Sequence, residues 1–411
     1  MTRAPSPAAV VCLLSFVHFV GAQMRGPLIP LYGQANGADA TLVGFIVAAH
    51  MAVAAIGSIP LGRAADRWGR RRLVVAGIAV GLLTSLMLPL VEHPLALMAV
   101  YGLAGFGIAA YTPSALALIG DATPVAQAAR AYAWHSTAHY GAIALGPFFG
   151  ALAAERWGYR PAFIASAAVL VLALAMALHA PLPQRVVVRE PARPVTEVTR
   201  NVSVWAGWIA GVSGMVIQGV AFTFVPLLAL EQGLTPAAIG GIFLALGAAN
   251  TVSRGPAGWL MDRTAGATAY ALAGLVLASA VTALLPHGGS FAALLLLATV
   301  FGGLSGIAFV GVTAALAASA SPSTRGLVMG GYSTALYLGL GIGAFAHGPI
   351  VERAGYAVGF AVGGAVGAIG ALLAGILWAV GADYARDGRT ADRSSMGRKA
   401  RALGDNSRPS P

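Results

Sequence analysis

Long apolar runs separated by short polar turns dominate the chain, and the runs have the length of bilayer-crossing helices. A spanning helix needs roughly 20 mostly apolar residues. By that measure the sequence predicts twelve spans, at 8–31, 41–62, 73–91, 95–119, 131–154, 161–180, 203–229, 236–258, 268–286, 291–319, 327–350 and 355–381. Two segments break the pattern. Residues 181–202 carry Pro181, Pro183, Pro191 and Pro194 among mixed charges and read as a solvated linker. Residues 382–411 are polar, lack apolar periodicity and read as a disordered tail. The expected organisation is an N-terminal six-helix bundle over 1–180, the linker over 181–202, a C-terminal six-helix bundle over 203–381 and the tail.

The polar turns repeat. Pro60-Leu61-Gly62-Arg63-Ala64-Ala65-Asp66-Arg67 returns 196 residues later as Pro256-Ala257-Gly258-Trp259-Leu260-Met261-Asp262-Arg263. Pro30-Leu31 matches Pro226-Leu227 at the same offset, and Gly44 matches Gly240. Further on the offset becomes 197: Ser136-Thr137-Ala138 matches Ser333-Thr334-Ala335, and Glu155-Arg156-Trp157-Gly158-Tyr159 matches Glu352-Arg353-Ala354-Gly355-Tyr356. Two homologous halves follow, and such duplications are common in secondary transporters. The fold class expected is an all-α membrane protein, with twelve transmembrane helices in two bundles related by a pseudo-twofold axis along the membrane normal.

Composition and charge sharpen this picture. The chain is 58% hydrophobic and 9% charged, which excludes an ordinary soluble domain of 411 residues. Its 54 glycines suit close helix approach in lipid, where small residues rather than a hydrophobic drive bring helices together. Arginines concentrate in 63–72, in 181–202 and in 382–411, whereas the alternate loops carry Asp39, Glu92, Glu231 and His287. The positive-inside rule then places both termini in the cytoplasm of a multi-pass protein of the cell (inner) membrane. This asymmetry accounts for the net charge of +11 without nucleic acid as a partner. Arg3, an apolar run and Val20-Gly21-Ala22 before Gln23 imitate a secretory signal. Removing it would leave the first half one helix short of its duplicate, so a spanning helix is expected there. Cys12 is the single cysteine, which excludes an intramolecular disulfide.

The stretch Gly62-Arg63-Ala64-Ala65-Asp66-Arg67-Trp68-Gly69-Arg70-Arg71 resembles the loop between the second and third helices of the major facilitator superfamily. Gly258 to Arg263, with Asp262, stands where that family repeats the loop, and Gly146-Pro147-Phe148-Phe149-Gly150 resembles the fifth-helix motif of its drug–proton antiporters. Residues 8–381 fall within the resemblance. It implies a transporter that needs no cofactor, whose cytoplasmic ends are latched by Asp66, Arg67, Arg70 and Arg71 while the cavity faces outward. Asp121 is the acidic partner expected for Arg67 or Arg70. The competing reading is that the arginines only fix topology. Two features depart from the antiporters: Tyr101 occupies the place of an Arg before Gly105-Phe106-Gly107-Ile108-Ala109, and no carboxylate lies near the middle of any span.

Ionisable groups inside a membrane are costly and face a cavity or a partner. Arg25 has no carboxylate at its depth in sequence, so it either meets an anionic substrate group, or snorkels to the outer interface, or donates to backbone carbonyls. His18 and His50 fall near mid-membrane and could carry a coupled proton or simply pack. His135 and His139 share a helix face; without a third ligand, cavity lining or packing is expected there rather than a metal. Gln23, Tyr111, Tyr140, Gln218, Asn250 and Tyr337 are further cavity candidates. Arg254, near the inner face, reads as a cytoplasmic gate or headgroup contact rather than a substrate contact, though substrate binding remains open for it. No enzyme motif is present. The functions left open are efflux of a drug-like compound or metabolite by alternating access, import or exchange of a small organic anion through Arg25, and a non-transporting sensor or assembly partner of the same fold. The partners expected are a small-molecule substrate, the lipid bilayer and protons as coupling ion, with the protein a monomer.

Overall fold

The structure, a computed structural model, describes residues 6–123, 127–180, 195–264, 266–321 and 324–405. It is helical throughout these residues. The first half contains α1 (Pro7–Gln23), α2 (Leu28–Ala35), α3 (Ala40–Trp68), α4 (Arg70–Met87), α5 (Pro94–Asp121), α6 (Ala128–Trp157) and α7 (Tyr159–His179). A short α8 (Val195–Thr199) precedes the second half: α9 (Val202–Glu231), α10 (Pro236–Thr264), α11 (Ala267–Leu284), α12 (Phe291–Ser319) and α13 (Arg325–Asp405). Most of the linker expected at 181–202 lies outside the described residues.

Ten of these helical segments are long and apolar enough to span a membrane, counting α1 and α2 as one. The last of them, Leu327–Gly381, holds two spans, because α13 bends at Gly355, where φ is +82°. The matching turn at Gly158, φ +87°, separates α6 from α7. α6 completes the set of twelve: it is 30 residues long, but its Arg, His, Ser and Thr positions lower its hydropathy. Where the sequence suggested disorder after Gly381, the helix continues to Asp405. That stretch is rich in Ala and Arg and contains no proline.

The first span differs from the single helix expected over 8–31. It breaks between Gln23 and Leu28, around Gly26-Pro27. Pro27 has no N–H to donate, and its ring would collide with the Gln23 carbonyl in a continuous helix, a cost of about 3 kcal/mol. The chain instead turns, with Gly26 N–H donating to Gln23 O at 2.9 Å and Ile29 N–H to Arg25 O at 3.0 Å. The duplicate positions, Phe222 and Thr223, carry no proline, and α9 runs unbroken through them.

The halves pack as two bundles, α1–α7 and α9–α13 up to Gly381. They meet along α3 against the first limb of α13 and along α6 against α10. The ends of α3 and α10 that carry the repeated Arg turns define one face of the molecule, called the basic face below; the starts of these helices define the far face.

Candidate functional site at the bundle interface

On the basic face, Gly69 adopts φ +97°, a conformation that glycine alone enters without strain, and so turns the chain from α3 directly into α4. The turn delivers Arg70 to α5, where it ion-pairs with Asp121 and donates to Ala117 O at 3.1 Å. Asp121 thus meets Arg70 rather than Arg67. Asp66 lies 3.9 Å from Arg70, with its side chain 55% exposed. Arg71 donates to the Leu178 carbonyl at the end of α7. All these partners belong to one bundle. In the second copy, Gly258 is half-buried, Asp262 is exposed and Arg263 lies over the Trp259 ring at 3.8 Å.

Inside the first bundle, Arg25 sits at the break in the first span and is 4% exposed. It donates through Nη1 to Thr84 Oγ1 at 3.0 Å and to Gly81 O at 3.3 Å, and through Nε to Ala22 O at 3.3 Å. These acceptors lie on α4 and on its own helix, so Arg25 ties the broken span to α4 within the bundle. Gln23 packs on the other side: a Cβ at Gly146 would stand 2.7 Å from that of Gln23. At Gly150 an added Cβ would overlap the Met24 carbonyl. With Pro147 between them, these two glycines let the backbone of α6 lie directly against the break.

The remaining candidates fall into two groups. His18 stacks on Tyr111 at 3.8 Å between ring centroids, and neither of its ring nitrogens has a hydrogen-bond partner. Tyr111 donates to Ser15 Oγ at 3.0 Å, and the same hydroxyl lies 3.1 Å from His135 Nε2. His139 contacts Phe19 at 4.1 Å and Tyr140 at 5.1 Å, so the two α6 histidines turn to different partners. His50 lies apart from this group, bonded to Tyr101 O at 3.0 Å and stacked on the Tyr101 ring. Gln218 is also isolated, and its Oε1 is buried without a partner.

The second group spans the interface. The Arg254 guanidinium of α10 lies over the Tyr140 ring of α6 at 3.4 Å, while Nε and Nη2 both donate to Asn250 Oδ1, at 3.1 and 3.0 Å. Tyr332 and Tyr337 of α13 are within electrostatic range of Tyr140. Tyr337 also lines an open cavity of about 440 Å³ between α3 and α13, walled by Phe45, Met98, Leu338, Ile342 and Phe345 and almost wholly apolar.

From this group to the far face the bundles are closely joined. Phe45 stacks on Phe345 at 4.8 Å. A Cβ at Gly247 would stand 2.6 Å from Ala144 Cα, and one at Gly44 would overlap the Ala344 carbonyl. At the far face itself, Glu352 accepts from Ala40 N–H at 2.8 Å and Glu155 accepts from Ala237 N–H at 2.7 Å. Each carboxylate thereby caps the first turn of a helix in the other bundle, where backbone N–H groups lack intrahelical partners. Cross-bundle contacts thus include the two glutamate caps and the Phe45–Phe345 stack toward the far face, and the Tyr140–Arg254 pair and a Tyr337–Thr112 hydrogen bond deeper toward the basic face.

The Major Facilitator Superfamily profile matches residues 11–290 and 256–406. The chain belongs to the major facilitator superfamily. An uncharacterized MFS-type transporter of Methanocaldococcus jannaschii is 21% identical over 356 residues, 85% of this chain and 92% of that protein. The multi-drug resistance efflux pump PmrA of Streptococcus pneumoniae is 29% identical over 157 residues, 38% of this chain and 39% of the pump. Among solved structures, a bacterial homolog to the human lysosomal transporter Spinster, inward-facing and occupied, has a TM-score of 0.75 at 13% identity. It covers 92% of this chain and 96% of its own. The nucleoside transporter NupG gives 0.71 at 14%, covering 90% and 99%. This is therefore a superfamily transporter and not an enzyme. The sequence reading overlooked two of its features, the interface position of Arg254 and the cross-bundle role of Glu155 and Glu352. The latter had a visible signal, since both glutamates open the repeated Glu-Arg-x-Gly-Tyr pattern.

Proposed function

We propose that this protein is a secondary active transporter that exports a small, largely apolar organic compound across the cytoplasmic membrane by alternating access. The apolar cavity beside Tyr337 is the observation that carries the reading: it is large enough for such a compound and lies where the bundles meet. The partial similarity to multidrug efflux pumps supports the direction. With the basic face in the cytoplasm by the positive-inside rule, bundles closed at the far face by the Glu155 and Glu352 caps and the glycine contacts correspond to an inward-facing state, ready to load from inside. His18, buried beside Tyr111 with both ring nitrogens unbonded, is the candidate carrier of a coupled proton, because no carboxylate stands at mid-span.

Everted membrane vesicles given a panel of labelled amphipathic compounds test this. The transported compound should concentrate in the lumen when a proton gradient is imposed. Concentration only in right-side-out vesicles would make the protein an importer. Arg25 does not favour the anion-import alternative, since its bonds are to α4 and to its own helix. Arg25→Met should lower thermal stability by about 1–3 kcal/mol through the acceptors it leaves unpaired, with compound affinity unchanged. A selective loss of affinity at normal stability would restore Arg25 to the binding site.

A further inference from the structure

We propose that Arg254 is the recognition point for a negatively charged group on the transported compound, a carboxylate, sulfonate or phosphate, whose aromatic or aliphatic body lies among the Tyr140, Tyr332 and Tyr337 side chains and the apolar cavity. The proposal rests on the transporter reading and names its substrate class.

Three observations carry it. The first is position: Arg254 lies at the bundle interface, over Tyr140 of the other bundle, inside the basic-face turns and beside the Tyr337–Thr112 contact, so a compound entering from the basic face meets it where the bundles part. The second is charge. Arg254 has no carboxylate within ion-pair distance among the described residues. Its immediate partners are an amide oxygen and a phenol ring, and among the described residues Nη1 makes no hydrogen bond. A cation held inside a membrane protein by neutral groups alone keeps a full unit of uncompensated charge, which an anion at that spot neutralises. The third is balance across the interior. Arg25 and Arg254 both stand within spans, while Asp66, Asp121, Asp262, Glu155, Glu231 and Glu352 all stand at span ends. The potential in the cavity therefore favours anions and opposes cations. The planar guanidinium offers a paired-donor geometry that matches these oxyanions, and Asn250 holds its other edge in place.

The test uses the full-length protein purified in detergent and three probes of one shape and different charge: 1-naphthoate, 1-naphthamide and 1-naphthylmethylammonium. Calorimetric binding should rank naphthoate first, about tenfold tighter than the amide as expected for one charge-assisted contact, with the ammonium weakest. Arg254→Gln should reduce the naphthoate preference to within about twofold while leaving the amide unchanged, and Arg254→Lys should fall between. If Arg254 only straps α6 to α10, Arg254→Gln will weaken all three probes alike, and the proposal is overturned. Should the variant not fold, the ranking on the wild type decides. Failure of naphthoate to bind more tightly than both other probes, including failure of all three to bind, overturns the proposal. The transporter reading stands apart: binding in this order without accumulation in vesicles refutes export alone, and transport of the ammonium in preference to the acid refutes the anion site alone.

Discussion

The two faces of the bundle interface use their charges in opposite ways. On the basic face Arg70, Arg71, Asp66 and Asp121 find partners, and every partner lies in the first bundle. On the far face Glu155 and Glu352 find partners, and both partners lie across the interface. The chemistry differs too. The basic face pairs side-chain cations with carboxylates, whereas the far face sets carboxylates on the N–H groups that open α3 and α10. A helix N-terminus cannot be removed by substitution, so at the far face only the carboxylate can be varied. The contrast teaches that, among the described residues, the charges of the loop between α3 and α4 hold no bundle to its neighbour in this conformation, and that a duplicated pair of glutamates does.

Four substitutions break or sharpen that contrast. The largest effect is expected from Gly44→Val, which drives a branched side chain into the Ala344 carbonyl. Overpacking of this kind costs about 1–3 kcal/mol or more, borne by the closed far face alone. Spin-label distances across the far face should lengthen, and transport should fall at least about tenfold, as 1.4 kcal/mol implies. Unchanged distances would show that the interface yields locally. Next comes Asp121→Asn, which leaves the half-buried Arg70 with a neutral partner; thermal stability should drop by about 1–3 kcal/mol, with far-face distances unaltered. A change in those distances would mean that the two faces are coupled through α5.

The double substitution Glu155→Gln, Glu352→Gln should weaken both helix caps together. The far-face-closed population should fall about threefold, with normal membrane insertion, since a neutral amide still accepts the hydrogen bond but loses its attraction to the helix dipole. An equal effect from either single substitution would mean that the caps do not act as a symmetric pair. The smallest effect on this conformation is expected from Asp66→Asn. The half-exposed carboxylate at 3.9 Å contributes at most about 0.5 kcal/mol here. Transport should nevertheless slow while surface expression stays normal if Asp66 latches the basic face when it closes. Wild-type turnover would reduce Asp66 to a topology signal.

Much of this architecture could be read from the sequence because it is local or repeated. Spans follow from apolar run length, and the duplication follows from Pro60 and Pro256, Asp66 and Asp262, and the two Glu-Arg-x-Gly-Tyr stretches. The break at Gly26-Pro27 was legible in principle, since proline interrupts a helix wherever it falls past the first turn; run length alone concealed it. What the sequence could not supply was partnership at a distance. Nothing near Glu352 indicates that its carboxylate accepts from the N–H of Ala40, 312 residues away. Arg254 looked like a residue of the inner face because depth along a helix says nothing about which neighbour the helix presents it to. Arg25 looked unpaired because its partners are a threonine hydroxyl and main-chain carbonyls, which carry no charge signature.

The glycine-lined contact between the bundles has a mechanical consequence. At Gly44, Gly247 and Gly348 the opposing surfaces meet through main-chain atoms and single methyl groups, so no long side chain has to leave a socket when the bundles rock. Along these glycine stretches the surface works as a plain bearing that offers little friction to tilting, while the Phe45–Phe345 stack and the Arg254–Tyr140 pair are the side-chain contacts that must shift. The energy separating the two ends of the rocking motion then resides in the few polar ties at the rims and in whatever occupies the space at Arg254. A cargo worth only a few kcal/mol is enough to decide which way the bearing tips.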